Sequence, residues 1–339
     1  MRMWNVSTRS RHGQFLPGPH PASFGSEDYG RVAGRPQKWL VSCKSDGERR
    51  GVVVLRDGII TFDRNMRHAV TGVRWSQACL DCPEMLPIVF DAEVCRNDLG
   101  ESVIIAFDLY FWKDSFLPAP ATARVQSCAK AVDYVRLNGT IEGGVFEIIS
   151  KPWVYANQLP DVLPRAWWAT PMSTPQDGLI FMHADVPATN GNQTEILKWK
   201  ASHTIDCWYF PEFRHNVGGA LWANDKGRPC PLSRICAYRL EGVEDVSSAR
   251  SVEANVSAWE AFPDHHTKVP AGRLMEFAIS VSSQGSETER EVCLKFVRMR
   301  EDKPYANDVG VIARTITHAA STRPLSELCD MIATGSRRR

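Results

Sequence analysis

The sequence has no surplus of either charge. Its 40 Lys and Arg face 39 Asp and Glu, a formal net charge of +1, whereas a protein that coats nucleic acid non-specifically carries a large basic excess. Any contact with nucleic acid is therefore expected to be local. Long apolar runs are also missing. The most apolar stretch, Val103 to Trp112, is broken by Asp108 and falls well short of the about 20 residues that cross a bilayer. Met1 to Gly13 is polar and has no apolar centre of a signal peptide, so neither a membrane nor export is expected. The 10 cysteines follow no paired spacing and are read as reduced intracellular thiols. Cys79 and Cys82 form one CxxC with no second pair at metal spacing, and tandem His265-His266 has no ligand partner nearby, so no zinc site is expected. No internal repeat is visible.

What is present is an ordinary globular composition, 43% apolar and 23% charged, over 339 residues. At about 150 residues per domain that length suggests two domains with separate cores. The first 40 or so residues are rich in Gly, Pro, Ser and Arg and are expected to wrap the surface of a domain rather than enter its core. Short β-type runs follow at Lys38 to Cys43, Arg50 to Leu55 and Ile59 to Asp63, with Asp57-Gly58 as a hairpin turn. Leu86 to Cys95 and Ser102 to Trp112 form a second pair around Asn97–Gly100. A helix is predicted from Ala121 to Leu137, with Val125, Cys128, Ala129, Val132 and Val135 on one face. Strand-like runs resume at Gly144 to Ser150, Gly178 to His183 and Glu195 to Lys200. A second set begins after His203, with runs at Cys207 to Phe210, Ile235 to Leu240, Leu274 to Val281 and Cys293 to Met299. Asn216–Pro229 and Ser282–Glu289 read as loops, and Pro324 to Thr334 as a closing helix with Pro in its first turn. Hairpins with few crossover helices give an α+β protein of antiparallel sheets and exclude a Rossmann fold.

Chemistry gathers in an ordered series. Cys43-Lys44-Ser45-Asp46-Gly47-Glu48-Arg49 stands where a strand ends and the hairpin begins. It is followed by Phe90-Asp91-Ala92-Glu93, Phe107-Asp108-Leu109, Asp177-Gly178-Leu179-Ile180-Phe181, Leu197-Lys198-Trp199-Lys200 and Arg298-Met299-Arg300-Glu301-Asp302-Lys303. A lysine amine can take a phosphoryl group covalently and pass it on, dividing one hard step into two. It must first lose its proton, against a free pKa of about 10.4, and neighbouring cations with partial desolvation favour that loss. Arg49, Lys198 and Lys200 are expected around Lys44, where they would also hold phosphates. Glu93 and Asp177, on separate strands, suit a Mg²⁺ or Mn²⁺ ion shared with substrate phosphates.

The series resembles the covalent nucleotidyltransferase superfamily of mRNA capping enzymes and ATP-dependent ligases, and more narrowly the GTP:RNA guanylyltransferases. Leu197 to Lys200 running on to Thr204-Ile205-Asp206, Arg298 to Lys303 with Pro304 and Asn307, and Gly272 to Glu276 before them carry the capping resemblance. The similarity spans Trp39 to Cys329. It implies a nucleotidyltransferase domain with the GTP site at 1–204, an OB-fold domain at 205–315, and a C-terminal helix and basic tail at 316–339. It implies Lys44 as the nucleophile that forms a lysyl–GMP adduct, with Arg49 and Arg64 on the ribose and phosphate side. Phe107 would stack on guanine, Lys151 would contact the base, and Glu93 and Asp177 would serve the divalent cation. Lys198 and Lys200 would hold phosphate; Arg298, Asp302 and Lys303 would orient pyrophosphate when the second domain closes. Ala92 departs from the glycine usual in the family at that position.

The implied reaction moves GMP from GTP to a 5′-diphosphate RNA end. An RNA triphosphatase and a cap methyltransferase would be separate partners, an RNA polymerase tail a further one, and the location nuclear, or cytoplasmic for a viral source. Two other readings stand beside it: an ATP-dependent RNA or DNA ligase, and a non-catalytic RNA-binding member of the superfamily. Arg337-Arg338-Arg339 reads as a disordered terminus rather than a contact for RNA phosphates.

Overall fold

Alternation of apolar residues within short runs drives this chain into sheets, and the sheets fall into two separately packed units. A computed structural model describes residues 18–64, 66–81, 85–142, 146–162, 174–210, 221–236, 238–241, 273–283, 290–300, 303 and 305–336. The first unit comprises residues 1–201 and 323–339, the second 202–322.

Two large sheets build the first unit, beside a two-stranded ribbon of Val73–Trp75 and Gly139–Ile141. One has five strands in the order Pro19–Ser23, Gly191–Trp199, Gln176–His183, Trp39–Ser45 and Val154–Tyr155. The other runs Phe146–Ser150, Ser102–Trp112, Ile88–Arg96, Glu48–Leu55, Gly58–Phe62 and His68–Thr71, with Asp114–Ser115 folded onto Ser102–Trp112. Pairing is antiparallel except for Pro19–Ser23 on Gly191–Trp199 and Phe146–Ser150 on Ser102–Trp112. The helix Ala121–Asn138 buries Cys128, Ala131, Val132 and Val135 against Val52, Phe90, Ile104 and Leu109 of the second sheet. Burial of this kind contributes about 1.5–3 kcal/mol per large side chain, and it fixes the sheet that carries half of the site.

The N-terminal segment corrects the expectation of a surface wrap. Pro19–Ser23 is a strand and Ser26–Gly34 a helix, and Phe24, Tyr29 and Val32 lie fully inside a core with Trp39, Phe181, Leu197 and Trp199. Leu328, Cys329 and Ile332 of the C-terminal helix Leu325–Ser336 close that same core. The helix had the right place in the sequence, but its apolar face packs back on the first unit.

In the second unit the strand order is Arg228–Pro231, Leu221–Asp225, His203–Tyr209, Arg273–Ser283, Arg290–Met299 and Tyr238–Glu241. Tyr238–Glu241 runs parallel to Arg290–Met299 while the other pairs are antiparallel. Arg228–Pro231 and Tyr238–Glu241 are successive pieces of chain at opposite ends of this path. Counted as one interrupted strand, they close the order into the five-position Greek-key barrel of an OB-fold. The stretch 216–229 is thus not simply a loop, since 221–225 and 228–229 are strand; Leu221 and Ala223 alternate into the barrel core, and Trp222 is buried in a separate cluster with Trp208, Phe210 and Ala306. A helix unforeseen in the sequence, Val309–Ser321, is capped by the Asp308 carboxylate, which accepts from the Gly310 amide at 2.9 Å, and buries Ile312 in the barrel core.

Candidate active site

Lys44 sits next to the end of Trp39–Ser45, directly opposite Gly178 on the neighbouring strand. A register shift between Gln176 and Gly178 takes Asp177 out of the ladder. Gly178 has φ 156°, and a Cβ there would strike the carbonyl oxygen of Trp199, so only glycine lets the strand Gly191–Trp199 come this near. The outcome is a three-way meeting. Lys44 Nζ donates to one Asp177 oxygen at 2.5 Å, and Lys200 Nζ pairs with the other at 2.5 Å. Burial opposes the charged carboxylate, but the hydrogen bonds from Lys200 and Lys44 outweigh it and hold Asp177 below the usual carboxylate range. Lys198 lies two residues before Lys200, on the same face of the chain by strand alternation. Burial, then the charges of Lys200 and Lys44, lower its pKa.

The second wall comes from the other sheet. Asp46-Gly47 carries the chain across, and Gly47 fits because a Cβ would collide with the Val94 carbonyl and lie 2.6 Å from Cys95 Sγ. Its amide donates to Glu93 Oε1 at 3.3 Å. Burial raises the Glu93 carboxyl to about 6, only partly offset by Lys151 and Lys44. The Lys151 ammonium donates to the carbonyl of Cys43, the residue before the expected nucleophile, at 2.9 Å. Burial lowers the Lys151 pKa to about 8, with Glu93 pulling the other way. Lys151 Nζ stands 5.5 Å from the centre of the Phe107 ring, and the Arg49 guanidinium carbon 5.9 Å from it. An aromatic face flanked by two cations is a fitting platform for a heterocyclic base.

Arg49 is more committed than the sequence suggests. Its Nε donates to Asp91 Oδ1 at 2.9 Å, Nη2 pairs with Asp91 Oδ2, and Nη1 donates to the Pro19 carbonyl at 2.8 Å. The Tyr110 hydroxyl donates to the same carboxylate. His20 lies beside this group, its Nδ1 3.4 Å from Arg49 Nη1, and burial followed by the Arg49 charge lowers its pKa. Asp91, Tyr110, Pro19 and His20 were not singled out as site residues. Asp91 had a signal, since two acids two apart on a strand share a face and Glu93 was already placed there. Arg64 lies exposed in the turn after Phe62; as Phe62 pairs with Gly51, it is level with Arg49 but joins none of these contacts.

Asp108 does not serve the site directly. It is buried and accepts from Arg124 Nε at 2.9 Å and Nη2 at 3.1 Å, which pins the helix Ala121–Asn138 to the strand that bears Phe107.

In the second unit the expected cations are gathered by two buried acids. Arg298 Nε donates to Glu276 Oε2 at 2.7 Å, Arg300 Nη1 to Asp206 Oδ1 at 2.8 Å, and Lys303 Nζ to Asp206 Oδ2. Thr204 Oγ1 donates to Glu276 Oε1 at 2.7 Å, and the Asp206 amide donates to Asn307 Oδ1 at 2.7 Å. Arg298 is 61% exposed while Arg300 is 10% exposed, so Arg300 braces the cluster and Arg298 faces solvent. Asp302 lies outside the described residues, as do Cys82, His265, His266 and Arg337 to Arg339. Cys79 is a buried thiol whose sulfur accepts from the Tyr134 hydroxyl at 2.8 Å. Among the described residues no group of three or more His, Cys, Asp and Glu side chains could hold a metal ion, and no helix is long and apolar enough to cross a membrane.

The sequence matches the family described as mRNA capping enzyme, catalytic domain, over residues 2–202. The chain belongs to the mRNA capping enzyme family. The match covers the lysine, acidic and aromatic positions of the first unit, and makes the protein a nucleotidyltransferase. Among curated proteins no match was found. Similar solved structures include the ligase domain from M. tuberculosis LigD, with 13% identity over 78% of this chain and 90% of that one at TM-score 0.36. A mycobacterial DNA ligase D complexed with ATP and MES has 13% identity over 86% and 96%, at TM-score 0.41. A structure titled Pmar-Lig_PreS3 has 15% identity over 84% and 68%, at TM-score 0.42.

Proposed function

We propose that this capping-family chain is a GTP:RNA guanylyltransferase working through a covalent Lys44–GMP adduct. The observation that carries the reading is the Asp177 carboxylate held between Lys44 and Lys200. Paired in this way, the Lys44 nitrogen has a proton where its lone pair must be. Attack requires the pair to open, and a triphosphate supplies the means, since its oxygens compete for Lys200 and Lys198. With the pair open, Nζ loses one proton to solvent and the neutral amine attacks the α-phosphorus; the P–N bond forms, the bond to the β-phosphate oxygen breaks, pyrophosphate leaves, and the nitrogen releases a second proton to solvent to leave the phosphoramidate N–H. In the second half, a terminal oxygen of a 5′-diphosphate RNA attacks the same phosphorus, the P–N bond breaks, and GpppN leaves as the amine is reprotonated.

Guanine suits the base platform. Lys151 offers a donor beside Phe107, and guanine presents the O6 acceptor where adenine presents an amino donor. The acidic side chains fit a divalent cation held jointly with phosphate, not a cage of protein ligands: Asp177 and Glu93 provide two hard oxygen donors and the nucleotide the rest. Mg²⁺ or Mn²⁺ bound there would neutralise charge on the phosphates. Arg298 and Lys303 are assigned to the pyrophosphate. The substrate must arrive as a diphosphate end, which calls for an RNA triphosphatase activity, and the product is a substrate for a cap methyltransferase. An RNA polymerase tail as a further partner and a nuclear site, or the cytoplasm for a viral source, complete the proposal.

The test is to incubate the protein with α-labelled GTP or ATP and a divalent cation, then denature it. Label from GTP that survives denaturation and vanishes in Lys44→Ala is expected. Label from ATP instead makes the chain a ligase, and label with neither nucleotide from folded protein makes it a non-catalytic binding module.

A further inference from the structure

The chain passes between its two units twice, after Ala201 and again before Arg323. On the first unit's side one hydroxyl holds both passages. Tyr29, 1% exposed, donates to the Arg323 carbonyl at 2.6 Å and accepts from the Arg323 amide at 2.9 Å. The same oxygen accepts from the Trp199 indole N–H at 3.1 Å. Trp199 lies two residues before the outgoing passage, and Arg323 is the first residue of the return. On the second unit's side the passages are joined again, since His203 Nε2 lies 2.7 Å from Thr322 Oγ1. The Thr322 hydroxyl also lies 2.8 Å from the His318 carbonyl.

Two bodies joined by one strand can swing and twist about any axis. Joined by two strands at a fixed spacing, they turn chiefly about the line through both passages. We propose that Tyr29 and the His203–Thr322 pair are positioning residues that hold the passages at one spacing on each side, confining relative motion of the units to rotation about a single axis. This rests on the guanylyltransferase reading only for its consequence, which is that Arg298 and Lys303 follow the same path in every turnover. Trp199 adds a second link, because it stands between Lys198 and Lys200, and Phe24, packed edge-on against Tyr29 at 5.0 Å, donates from its amide to the Lys198 carbonyl at 3.0 Å.

The full chain would carry spin labels at exposed Lys130 and Arg228, one in each unit, introduced as a non-canonical amino acid so that native thiols stay unmodified. Tyr29→Phe removes all three bonds and keeps the ring; Thr322→Val, made separately, removes the other staple. At a temperature where circular dichroism shows each protein folded, the inter-label distance distribution is expected to widen about twofold in either variant. An unchanged width in both variants overturns the proposal, even if melting temperatures fall, since a purely structural hydroxyl changes stability alone. The adduct assay provides the second reading: at saturating GTP, Tyr29→Phe is expected to slow adduct formation about tenfold through lost orientation. Absence of any adduct in the unaltered protein refutes the proposed function, while the label distances still decide this inference.

Discussion

Lys151 has two tasks that depend on one proton. Its ammonium holds the Cys43 carbonyl and, in the proposed reaction, the guanine oxygen. Burial has brought its pKa down to about 8. The sign follows directly: below 8 the cation is present and donates, and as pH rises through 8 the charge is lost. The KM for GTP in adduct formation is expected to rise several-fold between pH 7 and 9, with the preference over ATP falling in parallel. Lys151→Met should show a high KM for GTP with little change across that range; steady-state adduct kinetics at each pH check both. Glu93 sits under the opposite pressure, its carboxyl raised to about 6 by burial. A group held away from its own comfort in this way is common where substrate binding supplies the missing counter-charge.

At the scale of the element, the helix Ala121–Asn138 depends on one internal ion pair. Arg124 is fully buried; besides Asp108 it donates from Nη1 to the carbonyls of Ala119 at 2.6 Å and Val186 at 2.7 Å. Removing one member leaves the other as an uncompensated buried charge. Asp108→Ala is expected to cost about 3–5 kcal/mol, while replacing the pair with Asp108→Leu and Arg124→Met recovers most of it; urea midpoints of the three proteins measure this. The pair also shows what the sequence could and could not tell. Phe107-Asp108-Leu109 announced itself as a motif, and the helix as a pattern of apolar residues, but nothing in either said that Arg124 answers Asp108. The strands bearing Lys44 and Asp177, and the one that leads into Lys200, were legible because alternation and turn residues are local signals. Pro19–Ser23 and Ser26–Gly34 were not, since proline, glycine and charge dominate their composition and their apolar residues find partners more than 100 positions away. Asp206 and Glu276 were quoted as parts of family-like stretches, yet acids inside apolar strands are themselves a sign that cations must meet them. Arg298, Arg300 and Lys303 are those cations.

For the whole molecule, the decisive feature is that the first unit is finished by residues from the far end of the sequence. Leu328 and Ile332 are 0% and 1% exposed in the core beneath Tyr29 and Trp39. Cutting the chain after Thr322 strips both from that core, at about 1.5–3 kcal/mol for each side chain. The truncated protein is expected to melt well below the full chain, or to be digested rapidly by trypsin at a temperature where the full chain resists; thermal scans and limited proteolysis distinguish these from an indifferent tail. The two-domain organisation was visible in the texture of the sequence, but its interleaving was not, because a short amphipathic helix carries no mark of the surface it will cover.

This arrangement also sets an order of events at the ribosome. Residues 202–322 must be synthesised before the segment that seals the first unit appears. At about 5–20 residues per second, the nascent first unit waits for seconds with an open apolar seam, and the barrel can fold while it waits. A chaperone that shields that seam would act on the part of the protein made first.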